Sequence, residues 1–96
     1  MATKLTEAAI AKNLAGLADW ELRGNEIARE YRFSSFNAAM VFVNRVADLA
    51  ESMDHHPDIL ISYKRVTLTY STHSEGGLTG KDFAGAAMAD RLVQTR

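Results

Sequence analysis

Apolar residues recur every three or four positions in three stretches of the chain, which is the spacing of one face of a helix. In the first stretch, Ile10, Leu14 and Leu17 follow Thr6. This pattern predicts a helix that Thr6 caps and that ends near Ala18.

The second helical stretch follows two serines at positions 34–35 and reaches about Met53. Its stripe consists of Phe36, Ala39, Met40, Val43, Ala47 and Ala50, and it is widened by Phe42, Val46 and Leu49. A stripe this broad predicts a helix that is deeply buried or that also covers another subunit. The third helix is predicted over residues 80–93, after a Thr79 and Asp82 pair with the spacing of a capping box.

Alternation of apolar and polar residues predicts two hairpins between these helices. Residues 20–23 and 27–33 flank a Gly-Asn turn at 24–25, and residues 59–63 and 66–71 flank a tight turn predicted at 64–65. The order is α-ββ-α-ββ-α with short connections. We therefore predict an α+β fold in a single domain over residues 1–96, with a four-stranded antiparallel sheet and three helices packed on one face.

Composition and charge narrow the functional classes. The formal net charge of −1 is spread without blocks of like charge, which gives no electrostatic case for nucleic acid or a membrane as partner. No cysteine is present, which excludes disulfides, thiolate catalysis and sulfur-ligated metals. The amino-terminal stretch lacks a signal-peptide core, so we expect a cytoplasmic protein. A chain of 96 residues buries a limited core, so a partner subunit is expected.

The segment Asp-His-His-Pro-Asp at positions 54–58 holds two of the three histidines and the only proline. Pro57 is expected to end the second helical region and to hold His56 extended. The third histidine, His73, lies at the end of the last predicted strand, before the Gly-Gly loop at 76–77. Three imidazoles meeting at this end of the sheet suit general acid/base catalysis near neutral pH, whereas polar connector residues are the bland alternative.

Metal binding is a competing use of the same residues. Glu51 and His55 lie one helical turn apart, and His73 would be a third ligand. Adjacent histidines point in different directions, however, and the His-Glu-x-x-His pattern is absent, so acid/base chemistry without a metal is favoured. No serine lies in a nucleophile-elbow motif, so covalent catalysis is not indicated.

The pattern Glu-x₃-His-His-Pro at 51–57, with Ser-Thr-His at 71–73, Gly-Leu-Thr at 77–79 and Asp82, resembles the pterin-4a-carbinolamine dehydratases. The resemblance extends upstream through Leu17, Trp20, residues 27–33 and Phe36, and so covers nearly the whole chain. One departure is Ile59, where some members of that family carry tryptophan.

The resemblance implies dehydration of a 4a-hydroxytetrahydropterin to a quinonoid dihydropterin in tetrahydrobiopterin recycling. It implies His55 and His73 as the groups that transfer protons, with His56 as a third catalytic residue that chiefly orients the pterin. It implies substrate binding by His56, Glu51, Pro57 and Asp82, although Asp82 also suits a purely structural role at the start of a helix. It implies neither a cofactor nor a metal.

The resemblance also implies a homo-oligomer, a dimer or a tetramer, with sheets joined edge to edge. A pterin-dependent aromatic amino acid hydroxylase is the implied pathway partner. Two other classes of function remain open from the sequence. One is a protein-binding or transcription-coactivator module that uses the second helix, and the other is a metal-dependent hydrolase.

Overall fold

The computed structural model describes residues 3–94, and in this range it contains three α-helices and four strands. The elements are α1 (Glu7–Ala15), β1 (Glu21–Arg23), β2 (Glu26–Arg32), α2 (Phe36–Met53), β3 (Asp58–Ser62), β4 (Arg65–Tyr70), a 3₁₀ helix (His73–Glu75) and α3 (Gly80–Gln94). The predicted order α-ββ-α-ββ-α is confirmed.

The strands form one antiparallel sheet in the order β1-β2-β4-β3. One face of β2 and β4 carries Ile27, Tyr31, Val66, Leu68 and Tyr70, and these side chains form a common core with residues of α2 and α3. The other face includes polar pairs such as Glu30 and Thr67. The helices therefore cover a single face of the sheet, as predicted.

Local signals set the helix ends. Thr6 caps α1 by accepting from the Ala9 N–H, and Ser35 caps α2 by accepting from the Ala38 N–H. The expectation that the first helix reaches Ala18 is wrong, because it ends at Ala15 and Gly16 forms the C-cap. Glycine is poorly suited to a helix interior, so the chain turns there.

The second hairpin turns one residue earlier than predicted. Ser62 pairs with Arg65, so the turn consists of Tyr63 and Lys64. Tyr63 has φ 53°, a left-handed conformation that ends β3, and its side chain is 67% exposed. Tyr63 is thus a turn residue and does not belong to the packing of the sheet.

The buried side of α2 differs from the predicted stripe. Phe42, Val46 and Leu49, which the pattern treated as its margin, are buried beside Ala39 and Ala50. Two predicted members of the stripe, Phe36 and Ala47, are exposed. An apolar arc this broad does not reveal its own centre, because either half suits a core helix.

Asp90 on α3 joins three polar groups at the edge of the core. Its carboxylate accepts from Trp20 Nε1 at 3.1 Å, Arg29 Nη1 at 2.8 Å and the Tyr31 hydroxyl at 2.6 Å. Burial, reinforced by this hydrogen bond and the Asp90 charge, raises the pKa of Tyr31 well above its usual range. Arg29 is therefore paired, consistent with a structural role.

Candidate active site

The end of α2 fixes the directions in which the two adjacent histidines leave the helix. Asp54 adopts a left-handed conformation, with φ 51° and ψ 41°, and the N–H of His55 bonds back to the Ala50 carbonyl at 3.1 Å. Such a residue reverses the chain at a helix end. The helix thus ends at Met53, as the apolar pattern predicted, with Asp54 as its C-cap.

His55 is held against the start of α3. Its Nε2 lies 2.6 Å from Asp82 Oδ1, and its side chain is 10% exposed. The Asp82 side chain has no exposed surface. Nε2 therefore carries the proton that bonds Asp82, and within residues 3–94 no hydrogen bond occupies Nδ1.

Both oxygens of the Asp82 carboxylate accept hydrogen bonds within the protein. Its Oδ2 accepts from the Thr79 N–H at 2.9 Å and from the Thr72 hydroxyl at 2.8 Å. The Thr79 hydroxyl lies 2.8 Å from that of Thr72, whose proton is already committed to Asp82, so Thr79 donates to Thr72. The capping interaction predicted for Thr79 and Asp82 is present, and the same carboxylate orients His55.

His56 takes a separate partner. Its Nε2 lies 2.5 Å from Glu51 Oε2, and both side chains are largely exposed. Glu51 thus pairs with His56 and not with His55, which lies one helical turn away. Pro57, half-buried, carries the chain from His56 into β3.

His73 lines a surface pocket to which His55 and His56 do not contribute. It begins the 3₁₀ helix, is exposed, and lines an open cavity of about 340 Å³ together with Arg23, Asn25, Glu26, Ser71, Gly76 and Gly77. Neither His55 nor His56 lines this cavity. His73 is linked to His55 through its neighbour Thr72, because Thr72 and His55 bond the same Asp82 carboxylate.

Two contributors to this site escaped the sequence reasoning. Thr72 was considered only as part of the Ser-Thr-His motif, and Tyr70 only as part of the strand predicted over residues 66–71. Tyr70 is buried in the sheet, but its ring also stacks on His55, with centroids 5.8 Å apart and planes 17° apart. Tyr70 and Thr72 lie two positions apart at the end of β4, so both side chains are on the side of the sheet where Asp82 lies. This spacing was the signal in the sequence that could have identified the two residues.

Within the part of the chain that the structure describes, no three His, Asp or Glu side chains are grouped so as to hold a metal ion. Among residues 3–94, no helix combines the length and the apolar character that crossing a membrane requires.

The order of elements and the clustering of Glu51, His55, His56 and Asp82 invite comparison with known proteins. The family model for pterin 4 alpha carbinolamine dehydratase matches residues 3–92. The chain belongs to this family. A relative from Chloroflexus aurantiacus, provisionally named as a pterin-4-alpha-carbinolamine dehydratase, is 53% identical over 90 residues, which cover 94% of this chain and 97% of the relative. A relative from Roseiflexus castenholzii with the same provisional name is 48% identical over 93 residues, covering 97% of this chain and all of the relative.

A solved structure agrees with the dehydratase family assignment. The crystal structure of a transcriptional coactivator/pterin dehydratase from Brucella melitensis superposes with a TM-score of 0.90 at 34% identity, covering 95% of this chain and 99% of that one. A pterin dehydratase-like protein described as a RuBisCO assembly factor in the alpha-carboxysome gives a TM-score of 0.65 at 22% identity, over 80% of this chain and 89% of that one. The second comparison shows the shared fold alone.

Proposed function

We propose that the protein is a hydro-lyase that dehydrates a 4a-hydroxytetrahydropterin to a quinonoid dihydropterin by histidine acid/base catalysis. The C4a–O bond breaks, the hydroxyl leaves as water after gaining a proton, and a ring nitrogen loses a proton as the new C=N bond forms. The reaction requires two proton transfers and no change of oxidation state. Positioned imidazoles can perform both transfers.

The observation that carries this proposal is the pair formed by His55 and Asp82. A buried carboxylate that holds one imidazole nitrogen fixes the tautomer of the ring, which leaves the other nitrogen without a proton and able to accept one. We assign one proton transfer to His55 Nδ1 and the other to His73. Because Asp82 is buried and both its oxygens accept hydrogen bonds, we assign it to positioning His55, in place of the substrate contact that the resemblance implied.

His56 and Glu51 are assigned to binding the pterin, with Pro57 shaping the wall beside them. Their pair is exposed, so an incoming substrate can exchange partners with it at little cost. A pterin ring offers both donors and acceptors, which suit an imidazole and a carboxylate.

A stopped-flow assay on chemically generated 4a-hydroxytetrahydropterin tests the proposal. Wild-type protein is expected to accelerate dehydration equally with and without a chelator. His55→Ala and His73→Ala are each expected to lower kcat by about 10²–10⁴-fold while leaving the circular dichroism spectrum native. Acceleration lost on chelation would favour a metal-dependent reaction, and no acceleration by folded wild-type protein would overturn the enzyme assignment.

We infer a homo-oligomer from the exposed apolar edge of the sheet. All five residues of β3 are exposed, and within residues 3–94 the strand pairs with β4 alone, which leaves its other edge free. Leu60 is 64% exposed, and Ile59 and Ile61 flank it. A long apolar edge strand is a template for pairing with another strand. A second copy of this chain, paired edge to edge in a dimer or within a tetramer, would supply the strand that pairs with this edge.

The cellular setting follows from the proposed chemistry. We propose a cytoplasmic role in pterin recycling, with a pterin-dependent aromatic amino acid hydroxylase as the enzyme that supplies the substrate. Adding the protein to such a hydroxylase under limiting pterin is expected to shorten the lifetime of the 4a-hydroxy intermediate, which absorbance records directly. An unchanged lifetime would contradict this role.

A protein-binding or coactivator role is the second candidate. The specific observation is the exposed apolar surface of α2, where Phe36 is 46% and Val41 50% exposed, together with the coactivator name of the Brucella melitensis protein. Dehydration activity that depends on His55 and His73 would favour the enzyme, whereas a folded but inactive wild-type protein would favour the binding module.

A further inference from the structure

Tyr70 lies between the proposed catalytic centre and the hydrophobic core. Its side chain is fully buried near the end of β4. One neighbour is the His55 ring, nearly parallel at a centroid distance of 5.8 Å, and another is Trp20, at 6.0 Å and tilted by 47°. The first distance falls within the range of offset aromatic stacking, so the phenol ring forms a wall against the imidazole.

The position of this wall is fixed from the side of α3. A Cβ atom built on Gly85 would lie 2.7 Å from Tyr70 Cε1 and 2.8 Å from Tyr70 Cζ. Real Cβ atoms do not approach other atoms so closely, so only glycine at this position leaves space for the phenol ring. The helix backbone and the ring are therefore in direct contact, and the ring cannot move towards α3.

Hydrogen bonding by the hydroxyl does not account for Tyr70. Its oxygen is buried, and in the described residues it has no hydrogen-bond partner. An unsatisfied buried hydroxyl opposes folding. Burial, with a smaller contribution from the Asp82 charge, raises the pKa of Tyr70 to about 12, so the group is uncharged near neutral pH. What Tyr70 supplies to His55 is the face of its ring.

We propose that Tyr70 is a positioning residue for His55, setting the plane of the imidazole while Asp82 sets the direction of its Nε2–H. One hydrogen bond leaves the ring free to tilt about the line joining the two bonded atoms. Stacking removes that freedom, so Nδ1 points in one direction. The consequence for catalysis rests on the proposed dehydration, whereas the orientation of the ring does not.

Two substitutions separate the ring from the hydroxyl. Tyr70→Leu removes the wall, and Tyr70→Phe is the matched control that keeps it. Nitrogen NMR of the imidazoles, assigned with His55→Ala, reports the tautomer and surroundings of His55. Tyr70→Leu is expected to shift or broaden the His55 signals and to lower kcat about 10-fold, with KM changed by less than about 2-fold. Tyr70→Phe is expected to retain the signals and kcat.

Unchanged His55 signals in folded Tyr70→Leu would overturn the proposal, as would a loss in Tyr70→Phe equal to that in Tyr70→Leu. Should Tyr70→Leu fail to fold, Tyr70→Met, which fills the space without a ring, decides the same comparison. An inactive wild-type protein would refute the dehydratase function alone, because the NMR comparison would still show whether Tyr70 orients His55.

Discussion

Asp82 is the residue on which the hydrogen bonds of the candidate site converge. It accepts from His55, Thr72 and the Thr79 backbone while having no exposed surface. Three donors surround one carboxylate, so both its charge and its acceptor geometry are required. The amide of an asparagine at this position would place its NH₂ group opposite a hydrogen-bond donor, so that one of these bonds would be lost.

Asp82→Asn is therefore expected to lower the free energy of unfolding by about 2–4 kcal/mol and kcat by about 10²-fold. Urea unfolding followed by circular dichroism and the dehydration assay measure the two effects. Asp48→Asn, at an exposed position of α2, is the control and should change stability by less than about 0.5 kcal/mol. Equal effects of the two substitutions would contradict the role given to Asp82.

The buried tyrosines predict a loss of stability in alkali. The pKa of Tyr70 is raised from 10.0 to about 12 in the folded chain, and that of Tyr31 is also raised. From about pH 10 to 12 the folded state holds protons that the unfolded state has released, so the free energy of unfolding falls as pH rises. Below pH 10 this contribution is fully present.

A Tyr63→Phe background removes the exposed tyrosine, so tyrosinate absorbance then reports Tyr31 and Tyr70. We expect this absorbance to appear only above about pH 10, together with the loss of the native circular dichroism spectrum. Tyrosinate formed near pH 10 in a chain that stays folded would show that burial does not hold these protons.

At the scale of elements, the contact between α3 and β4 depends on a glycine within a helix. Gly85→Ala adds helix propensity of up to about 1 kcal/mol, but its Cβ overlaps the Tyr70 ring. We expect the overlap to dominate, with a net loss of about 1–3 kcal/mol in the free energy of unfolding. Gly80→Ala is the control, because no atom lies within 4 Å of the added Cβ, and it should be neutral or stabilising.

The same substitution in a Tyr70→Leu background completes a double-mutant cycle. Most of the Gly85→Ala cost is expected to disappear there, because the smaller side chain vacates the overlapping volume. Urea unfolding of the four proteins measures the coupling. Additive costs would mean that Gly85 is required for a reason other than the Tyr70 ring.

The reach of sequence reasoning follows from how local each interaction is. The bounds of α2 were predictable, because the Ser35 cap and the apolar period are local to that helix. The turn at Tyr63 was not predictable, because a left-handed tyrosine is rare and the segment has no glycine, asparagine or other typical turn residue at that position.

The Asp82 partner of His55 was not predicted, and Glu51, which the spacing placed beside His55, pairs with His56. The Asp82 partner of His55 depends on where α3 meets the end of α2, and a contact across 27 positions has no recognisable spacing in the chain. The Glu51 partner of His56 depends on the direction in which the chain leaves α2 at the left-handed Asp54.

At the scale of the whole molecule, the two edges of the sheet differ. β1 has three residues and carries Glu21 and Arg23, whereas β3 is longer and carries Ile59, Leu60 and Ile61. Charges and short length protect an edge from pairing. Self-association is therefore expected at β3 and not at β1.

Leu60→Lys is expected to shift sedimentation velocity towards a smaller species, because like charges would face each other across a two-fold pairing of β3. Leu22→Lys, which places the same charge on β1, is the matched control and should leave the assembly unchanged. A reversed result would move the interface to β1. An equal sedimentation coefficient for wild type and both variants would show that β3 does not form the interface.

Trp20 is the one tryptophan of the chain, and its indole N–H bonds Asp90 while its ring lies 6.0 Å from Tyr70. Emission excited at the red edge of protein absorption therefore originates from a single, buried fluorophore. The Tyr70 ring contacts both this indole and the His55 ring. The protein thus carries an intrinsic optical probe beside its proposed catalytic centre, and ligand titrations can be followed without a dye or label.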